Sequence, residues 1–249
     1  MSEFKLPTET VKLPSKGLLY PKENPLSAGE IEMKYMTAKE EDILTNSNYI
    51  QAGTVFDKLF QSMIVTKINY ADLLLCDKES IMLAARILGY GKNYPIKYRN
   101  PIIGEDEEFV VDLSQLKEKE VDYTLFKNQN EFYFKLPNTG NEITFKLLTH
   151  ADERAIDSEL NSLKKIKGSK EVTVRLKHQI IAVNGSRERK DVIDFVENGL
   201  LAVDSVELRR YMKSITPGVD FTFTFKGSEG YVEEGVQLPI DLSFFYPRA

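Results

Sequence analysis

The sequence predicts an α+β fold, a helical layer plus β-hairpins, because its helix-like and strand-like segments are grouped along the chain. Three segments before residue 90 have the apolar spacing of amphipathic helices, and two pairs of strand-like segments follow them. Grouped elements of this kind favour α+β over a regular βαβ order, which would indicate a parallel sheet. Helices followed by a hairpin occur twice, ending at Asp112-Leu113 and at Asp241-Leu242, so we expect two similar halves.

Composition is that of an ordinary globular protein. The 249 residues are 42% hydrophobic and 29% charged, which is enough to bury a core. The net charge of −5 argues against a dedicated nucleic-acid binder. We expect no membrane helix and no signal peptide, because no long apolar run is present. Cys76 has no partner for a disulfide, which fits a reducing cytosol.

Residues 1–30 are predicted to form an extended N-terminal arm. Four prolines between residues 7 and 25 are too closely spaced for a helix, because each lacks an N–H and clashes with the preceding turn. Residues 12–21 are apolar enough to pack against a partner protein or against the chain's own core, and both interpretations remain open. The candidate partner-binding residues here are Leu13, Pro14, Lys16, Leu18, Leu19 and Tyr20.

Residues 31–120 are predicted to be a helical region with a β-hairpin. A short strand over 31–36 leads into Thr37–Glu40, the capping box that begins a first helix ending near residue 46. Two more helices are expected at about 52–65 and 78–88.

Capping and turn residues predict how this region ends. Asp77 is the expected N-cap of the third helix, and Gly89 and Gly91 are expected to end it. Strand-like residues 96–98 and 109–113 then flank a turn at 100–104, which predicts a hairpin.

Residues 121–249 are predicted to be an α+β region with a C-terminal hairpin. The segments 132–136 and 143–147 form a second hairpin around a Pro-Asn-Thr-Gly-Asn turn. A helix is expected at about 150–167, and residues 172–183 are interpreted as one long strand, with a helix as the alternative. Further elements are helices at 193–201 and 206–215, then strands at 221–225 and 236–240.

Reactive side chains are scarce, and each has a structural interpretation. His150 lies at a predicted helix start, where a cap or surface role is commoner than catalysis, and His178 lies in the predicted long strand. Neither has a second His or Cys at metal-ligand spacing. Cys76 follows three leucines and is expected to be a small buried residue. We therefore expect no enzyme activity, no cofactor and no metal.

The segment from 164 to 190 is basic within an acidic protein. It contains nine Lys or Arg residues against two acids. Few aromatic residues interleave with them, so a patch that meets an acidic partner is favoured over nucleic-acid binding, which remains an alternative. The candidate partner-binding residues in this segment are Lys164, Lys165, Lys167 and Arg175.

The ordered set of segments resembles the T-even-type bacteriophage baseplate protein family. The resemblance covers most of the chain and is strongest over residues 12–113. The segments that carry it are Lys12–Gly17 with Tyr20-Pro21, Gly29–Met33, Tyr35–Leu44, Val55–Leu59, Leu73–Asp77, Ala84–Gly91, Asp112-Leu113, Leu238–Ile240 and Phe244–Pro247.

The resemblance implies a phage protein that acts in the baseplate hub of a contractile tail. Family members include a shorter hub subunit and a longer factor that promotes hub assembly, and the length of this chain resembles the longer kind. The implied partners are other baseplate hub proteins, and the implied location is the cytoplasm of the infected host or the baseplate of the virion. A structural subunit retained in the virion is the alternative to an assembly factor.

One departure from the family concerns a metal site. Relatives resemble zinc ribbons, with Cys-x-x-Cys at two hairpin turns. Here the corresponding positions, 100–104 and 223–227, contain no cysteine. The zinc site implied by the family is therefore absent, and we expect apolar residues and the turn glycines to hold the hairpins instead.

Overall fold

The computed structural model describes residues 6–164 and 170–245, and these residues form an α+β fold, as the sequence predicts. The helices are α1 Ala38–Leu44, α2 Ser47–Gln51, α3 Val55–Met63, α4 Leu75–Tyr90, α5 His150–Lys164, α6 Glu171–Gln179, α7 Arg189–Asp194 and α8 Ala202–Ile215. The strands are β1 Thr8–Lys12, β2 Glu30–Lys34, β3 Asn93–Asn100, β4 Glu105–Asp112, β5 Lys117–Glu118, β6 Phe132–Lys135, β7 Glu142–Phe145, β8 Ile180–Val183, β9 Val219–Asp220, β10 Thr222–Lys226 and β11 Val232–Gln237.

The strands form small antiparallel sheets. Four sheets are pairs, β1 with β2, β3 with β4, β5 with β9 and β10 with β11, and one has the order β6-β7-β8. The predicted hairpins are confirmed, because β3 pairs with β4 over eight residue pairs and β6 pairs with β7 over four. No described helix is long and apolar enough to cross a membrane.

The two longer hairpins at 93–112 and 222–237 lead into the same kind of turn. The Asp112 carboxylate accepts from the backbone N–H and the hydroxyl of Ser114, at 3.0 and 2.6 Å. Asp241 accepts from the same two groups of Ser243. An Asp two residues before a Ser satisfies the first free N–H groups of a short helix. A third turn of this kind, at Asp122 and Thr124, follows no hairpin, so the two similar halves stay a prediction.

The N-terminal arm folds back on the chain's own core. β1 pairs antiparallel with β2, and the residues between them bring Leu13, Leu19 and Tyr20 to exposures of 1, 2 and 3%. The sequence left open whether this segment packs against a partner protein or against the chain's own core. In the structure it packs against the core.

Asp77 holds the arm, and its prediction as an N-cap is wrong. Helix α4 begins three residues earlier than predicted, at Leu75 with Leu74 as the cap residue, which leaves Asp77 inside the first turn and fully buried. Its carboxylate accepts from the backbone N–H of Ser15 at 2.8 Å, the Ser15 hydroxyl at 2.7 Å and the Tyr20 hydroxyl at 2.6 Å. Burial raises the pKa of Asp77, and the bonds from Tyr20 and Ser15 oppose that rise.

Helix α1 starts with the predicted capping box. The Thr37 backbone N–H and hydroxyl both donate to Glu40, at 3.0 and 2.6 Å. Glu40 is fully buried and also accepts from Lys34 Nζ at 2.8 Å and from the Ser62 hydroxyl at 2.6 Å. One carboxylate thus links β2, α1 and α3.

Glu40 should make stability depend on acid pH. Burial alone raises its pKa, but the hydrogen bonds from Lys34, Ser62 and Thr37 outweigh burial and lower it from 4.5 to about 2. A carboxyl whose pKa is lower in the folded state stabilises the fold above its unfolded pKa. We therefore expect the free energy of unfolding to fall between about pH 4.5 and pH 2.

Chemical denaturation across this pH range checks the expectation. The variant Glu40→Gln should be less stable than the wild type at pH 6, and it should lose less stability on acidification. An unchanged pH slope in the variant would show that another carboxyl is responsible.

The long strand predicted over 172–183 is wrong for most of its length. Residues 171–179 form α6, and only 180–183 form a strand, β8, which pairs with β7. The β-branched residues at 172–174 favour a strand locally. Packing of α6 on α5 overrides that preference, since Val174 is fully buried in a cluster with Leu148 and Ile156.

Helix boundaries differ from the sequence predictions at several ends. Helix α3 is shorter than predicted and α4 longer, and the helix expected at 193–201 is α7 followed by one π-helical turn over Phe195–Gly199. Gly91, with a φ of 80°, ends α4 as predicted, whereas Gly89, the other expected stop, lies inside the helix. The residues added at the start of α4 include the buried Cys76 and Asp77.

A single large cluster of buried apolar residues contains members from the arm, from residues 31–120 and from 121–249. The C-terminal pair Phe244 and Phe245 is fully buried in it, with the Phe245 ring 4.9 Å from Phe56 and the Phe244 ring 5.1 Å from Tyr94. β5 and β9 also pair Lys117 with Asp220. The three-part division at 30 and 120 stays a prediction.

Candidate interaction surface

The two longer hairpins lie side by side and offer the surface best suited to binding another molecule. Their contact is aromatic: Phe109 stacks on Phe223 with ring centres 5.7 Å apart, and Phe225 lies 4.7 Å from Tyr98. Phe225 is fully buried, whereas Phe109 and Phe223 are half-buried. This apolar seam fixes one hairpin against the other.

A polar contact, which we call the hairpin clasp, joins the ends of the two hairpins. It consists of Asn100, Glu107, Gly227 and Ser228. The buried Asn100 amide donates to Glu107 at 2.9 Å and to the Ser228 carbonyl at 3.3 Å, and the Ser228 N–H donates to Glu107 at 3.1 Å. Hydrogen bonds from Ser228 and Asn100 lower the pKa of Glu107, so it is ionised at neutral pH.

Glycine at position 227 leaves room for this close approach. A Cβ there would lie 2.5 Å from the Glu107 carboxylate and 2.7 Å from the Asn100 amide. Such distances are shorter than van der Waals contact, so a larger residue would displace the Glu107 and Asn100 side chains and weaken the hairpin clasp. The sequence shows a glycine just after the alternating strand at 221–225. It does not show that Asn100 and Glu107 lie beside this glycine.

A second polar contact lies further along the same seam. The hydroxyls of Tyr98 and Tyr231 both donate to Glu233, at 2.9 and 2.6 Å. The hydrogen bond to Glu233 raises the pKa of Tyr98, and the two hydroxyls lower the pKa of Glu233. One ionised carboxylate therefore links β3 to β11.

The residues at the hairpin clasp do not fit a zinc ion. Structural zinc sites use four Cys or His ligands, and the clasp supplies one carboxylate, one amide and backbone groups that already bond to each other. Within residues 6–164 and 170–245, no group of three or more His, Cys, Asp or Glu side chains could hold a metal. The hydrogen bonds of the clasp join the hairpin ends where the resemblance implies zinc in relatives.

A groove of about 590 Å³ runs beside the seam, between β4 and β10. Each of these strands pairs on one side only among the described strands, so both present a free edge. Val110, on the β4 edge, is 57% exposed. Free edges offer unpaired backbone groups to an extended segment of another chain.

The ends of the two hairpins are strongly acidic. Residues 97–108 and 226–234 contain seven carboxylates and three cations, which gives a net charge of −4 in a chain whose total is −5. Several of these carboxylates, including Glu105, Asp106 and Glu229, are exposed. This surface should attract a basic partner and repel phosphates and anionic lipids.

Most of the candidate partner-binding residues of the arm are inaccessible. Leu13, Pro14, Leu19 and Tyr20 are buried in the chain's own core, because the arm is held by Asp77. The two accessible residues are Lys16, which lies over the Tyr123 ring at 3.6 Å, and the half-buried Leu18. Partner contact remains a prediction for these two.

The candidates in the basic segment are only partly described. Lys165 and Lys167 lie outside the described residues, and Lys164 is the last residue of α5. Arg175 is half-buried on α6 and pairs with Glu171 at 3.3 Å.

Other cations of the basic segment are paired as well. Lys177 contacts Glu159 at 2.8 Å and Glu197 at 3.3 Å, and Arg187 contacts Glu131 at 2.7 Å. These carboxylates reduce the positive field that the sequence count indicates. The pairing weakens the nucleic-acid alternative without testing it.

His150 is buried, which corrects the expected cap or surface role. It is the first residue of α5 and 9% exposed, and its Nδ1 lies 3.8 Å from Asp57 Oδ1. The same Asp57 accepts from Lys78 at 2.7 Å and from Tyr70 at 3.1 Å. Burial lowers the pKa of His150, so its neutral form is favoured. These contacts connect α3, α4 and α5.

The remaining reactive side chains also have structural surroundings. His178 is on helix α6, not on a strand, and its Nε2 lies 3.1 Å from Glu159. Cys76 is buried, and burial raises the pKa of its thiol well above the usual value. A thiol held in this neutral form is a poor nucleophile.

Comparisons with known proteins agree with the ordered segments found in the sequence. A family model described as "T4 bacteriophage base plate protein" matches residues 6–245, nearly the whole chain. No curated protein and no solved structure matches the chain.

Proposed function

The chain belongs to the T4 bacteriophage base plate protein family, and from this membership we propose that it promotes assembly of the baseplate hub of a contractile tail by binding other baseplate proteins of its phage. The observation that carries the proposal is the extent of the match, which covers the arm, both halves and the C-terminal aromatic pair. The match therefore extends over nearly the whole chain and is not limited to one segment. The protein's partners are accordingly expected among phage baseplate proteins.

Binding, without catalysis, is the mode of action that we propose. His150 and His178 lie beside carboxylates, and Cys76 is buried with a raised thiol pKa, as described above. The most distinctive exposed surface is the acidic pair of hairpin ends, whose geometry is set by the hairpin clasp. A rigid charged surface of this kind supports selective recognition of another protein.

A structural hub subunit retained in the virion is the alternative role. An assembly factor acts in the cytoplasm of the infected host and is absent from the finished particle, whereas a subunit is present in fixed stoichiometry. We propose the assembly factor as the leading role and keep the retained subunit as the alternative that the experiment separates from it.

A phage that lacks the gene tests whether hub formation needs the protein, and the composition of wild-type virions separates the two roles. We expect the mutant to form neither complete hubs nor baseplates, and a plasmid copy to restore them. Quantitative mass spectrometry of purified wild-type virions should find the protein far below one copy per baseplate. Stoichiometric presence would establish the subunit instead, and normal hub assembly in the mutant would refute both roles.

A further inference from the structure

The turn at the end of the first hairpin exposes apolar side chains. Ile102 is 59% exposed and Ile103 41%, and Pro101 before them is exposed as well. Exposed hairpin turns usually consist of Gly, Asn, Asp or Ser, whose conformations and hydrogen bonds suit a turn. Two adjacent isoleucines at this position have little contact with their own chain.

This turn is held in one conformation from inside. Asn100, at the base of the turn, is fully buried, and its Oδ1 accepts from the Ile102 backbone N–H at 2.9 Å. Its amide bonds to Glu107 on the same hairpin and to the Ser228 carbonyl on the other. Asn100 therefore joins the turn to the hairpin clasp.

Rigid apolar residues of this kind suit binding. β-Branched side chains have few rotamers to lose, and a preformed turn loses little backbone freedom. An apolar side chain gains binding energy when it enters a well-packed pocket from which water is excluded.

The charge around the turn indicates what kind of pocket it fits. Glu105 and Asp106 follow the turn directly, and Glu229 is on the neighbouring hairpin end, within the region of net charge −4. Electrostatic complementarity requires positive charge around the opposing pocket. The same negative charge disfavours nucleic acid and anionic membranes as the binding partner.

We propose that Ile102 and Ile103 insert into an apolar pocket with a basic rim on another baseplate protein of the same phage. The proposal rests on the proposed function for the identity of the partner, and it adds the residues and the chemistry of the contact. The isoleucines supply binding energy, and the acidic hairpin ends supply orientation and speed of association.

The test compares variants of the full chain. Biolayer interferometry would use each purified baseplate protein of the phage as the immobilised probe. The variant Ile102→Ser/Ile103→Ser should bind the probe that captures the wild type at least about tenfold more weakly, mainly through faster dissociation. The control variant Val65→Ser/Val172→Ser, with side chains 51 and 47% exposed elsewhere, should bind within about twofold of the wild type.

A charge variant tests the basic rim. Glu105→Gln/Asp106→Asn/Glu108→Gln should associate more slowly with the same probe, and its association rate should depend less on salt than that of the wild type. An unchanged salt dependence would refute the basic rim. Thermal unfolding should be the same for all variants, since the altered side chains are exposed.

The outcomes distinguish this inference from the proposed function. If the wild type binds a baseplate protein and the isoleucine variant binds it equally well, the inference is wrong and the proposed function stands. If the wild type binds none of the probes, both are wrong. Loss of self-association in the isoleucine variant, measured by light scattering, would assign the contact to a second copy and overturn the proposal.

Discussion

Replacing Asp77 by alanine should lower the free energy of unfolding by about 4 kcal/mol, because several buried donors would lose their acceptor at once. The Ser15 N–H, the Ser15 hydroxyl and the Tyr20 hydroxyl all donate to this carboxylate inside the core. None of these groups is near solvent in the folded chain, so water cannot replace the acceptor. The arm should detach from α4 as a result.

Urea denaturation followed by circular dichroism measures this loss. Asp122→Ala is the matched control, because Asp122 also accepts from a backbone N–H and a hydroxyl, both of Thr124, but it is exposed. Its loss should be about 1 kcal/mol or less, because water can hydrate the groups that are freed. Equal losses of unfolding free energy in the two variants would show that burial does not strengthen the effect of the Asp77 hydrogen bonds.

Replacing Phe245 by alanine should cost about 3–5 kcal/mol, the usual range for a buried phenylalanine truncated to alanine. Phe245 is fully buried, and its ring lies 4.9 Å from Phe56 and 6.0 Å from Phe60 on helix α3. The side chain joins the C-terminal end of the fold to the helical layer near its beginning. Truncation leaves a cavity that the surrounding rings can fill only in part.

The same denaturation experiment, with Tyr133→Ala as control, checks the second expectation. Tyr133 is an aromatic residue of similar size that is 69% exposed, so its truncation should change stability by less than about 1 kcal/mol. A native-like midpoint for Phe245→Ala would contradict the structural role of the C-terminal pair. Since a domain's net stability is about 5–15 kcal/mol, either large variant should also be sensitive to moderate heating.

Features that depend on neighbours in sequence could be predicted well. The capping box at Thr37 and Glu40 needs two residues three positions apart, and the structure contains it. The hairpin around 100–104 follows from alternation and a turn, and its register is the regular one. Local chemistry sufficed at these places because the interacting groups are only a few residues apart.

Features that depend on distant residues could not be predicted. Asp77 resembled an N-cap, but it bonds to Ser15, 62 residues away. Residues 172–179 resembled a strand, but they pack as a helix on α5. His150 resembled a surface residue, but it is buried near Asp57. In each case a contact made only in the folded chain outweighed a local preference of smaller energy.

The sequence by itself determined the fold class, the hairpins, the absence of cysteine from the hairpin turns and the family. These depend on periodicity, turn residues and the order of segments, all of which are visible along the chain. Only the tertiary structure decided that the arm is buried and that the two hairpin ends meet at Asn100, Glu107 and Ser228. It also decided that Ile102 and Ile103 point to solvent. The physical reason is that burial and exposure are properties of the packed chain, because each depends on which distant segments cover a residue.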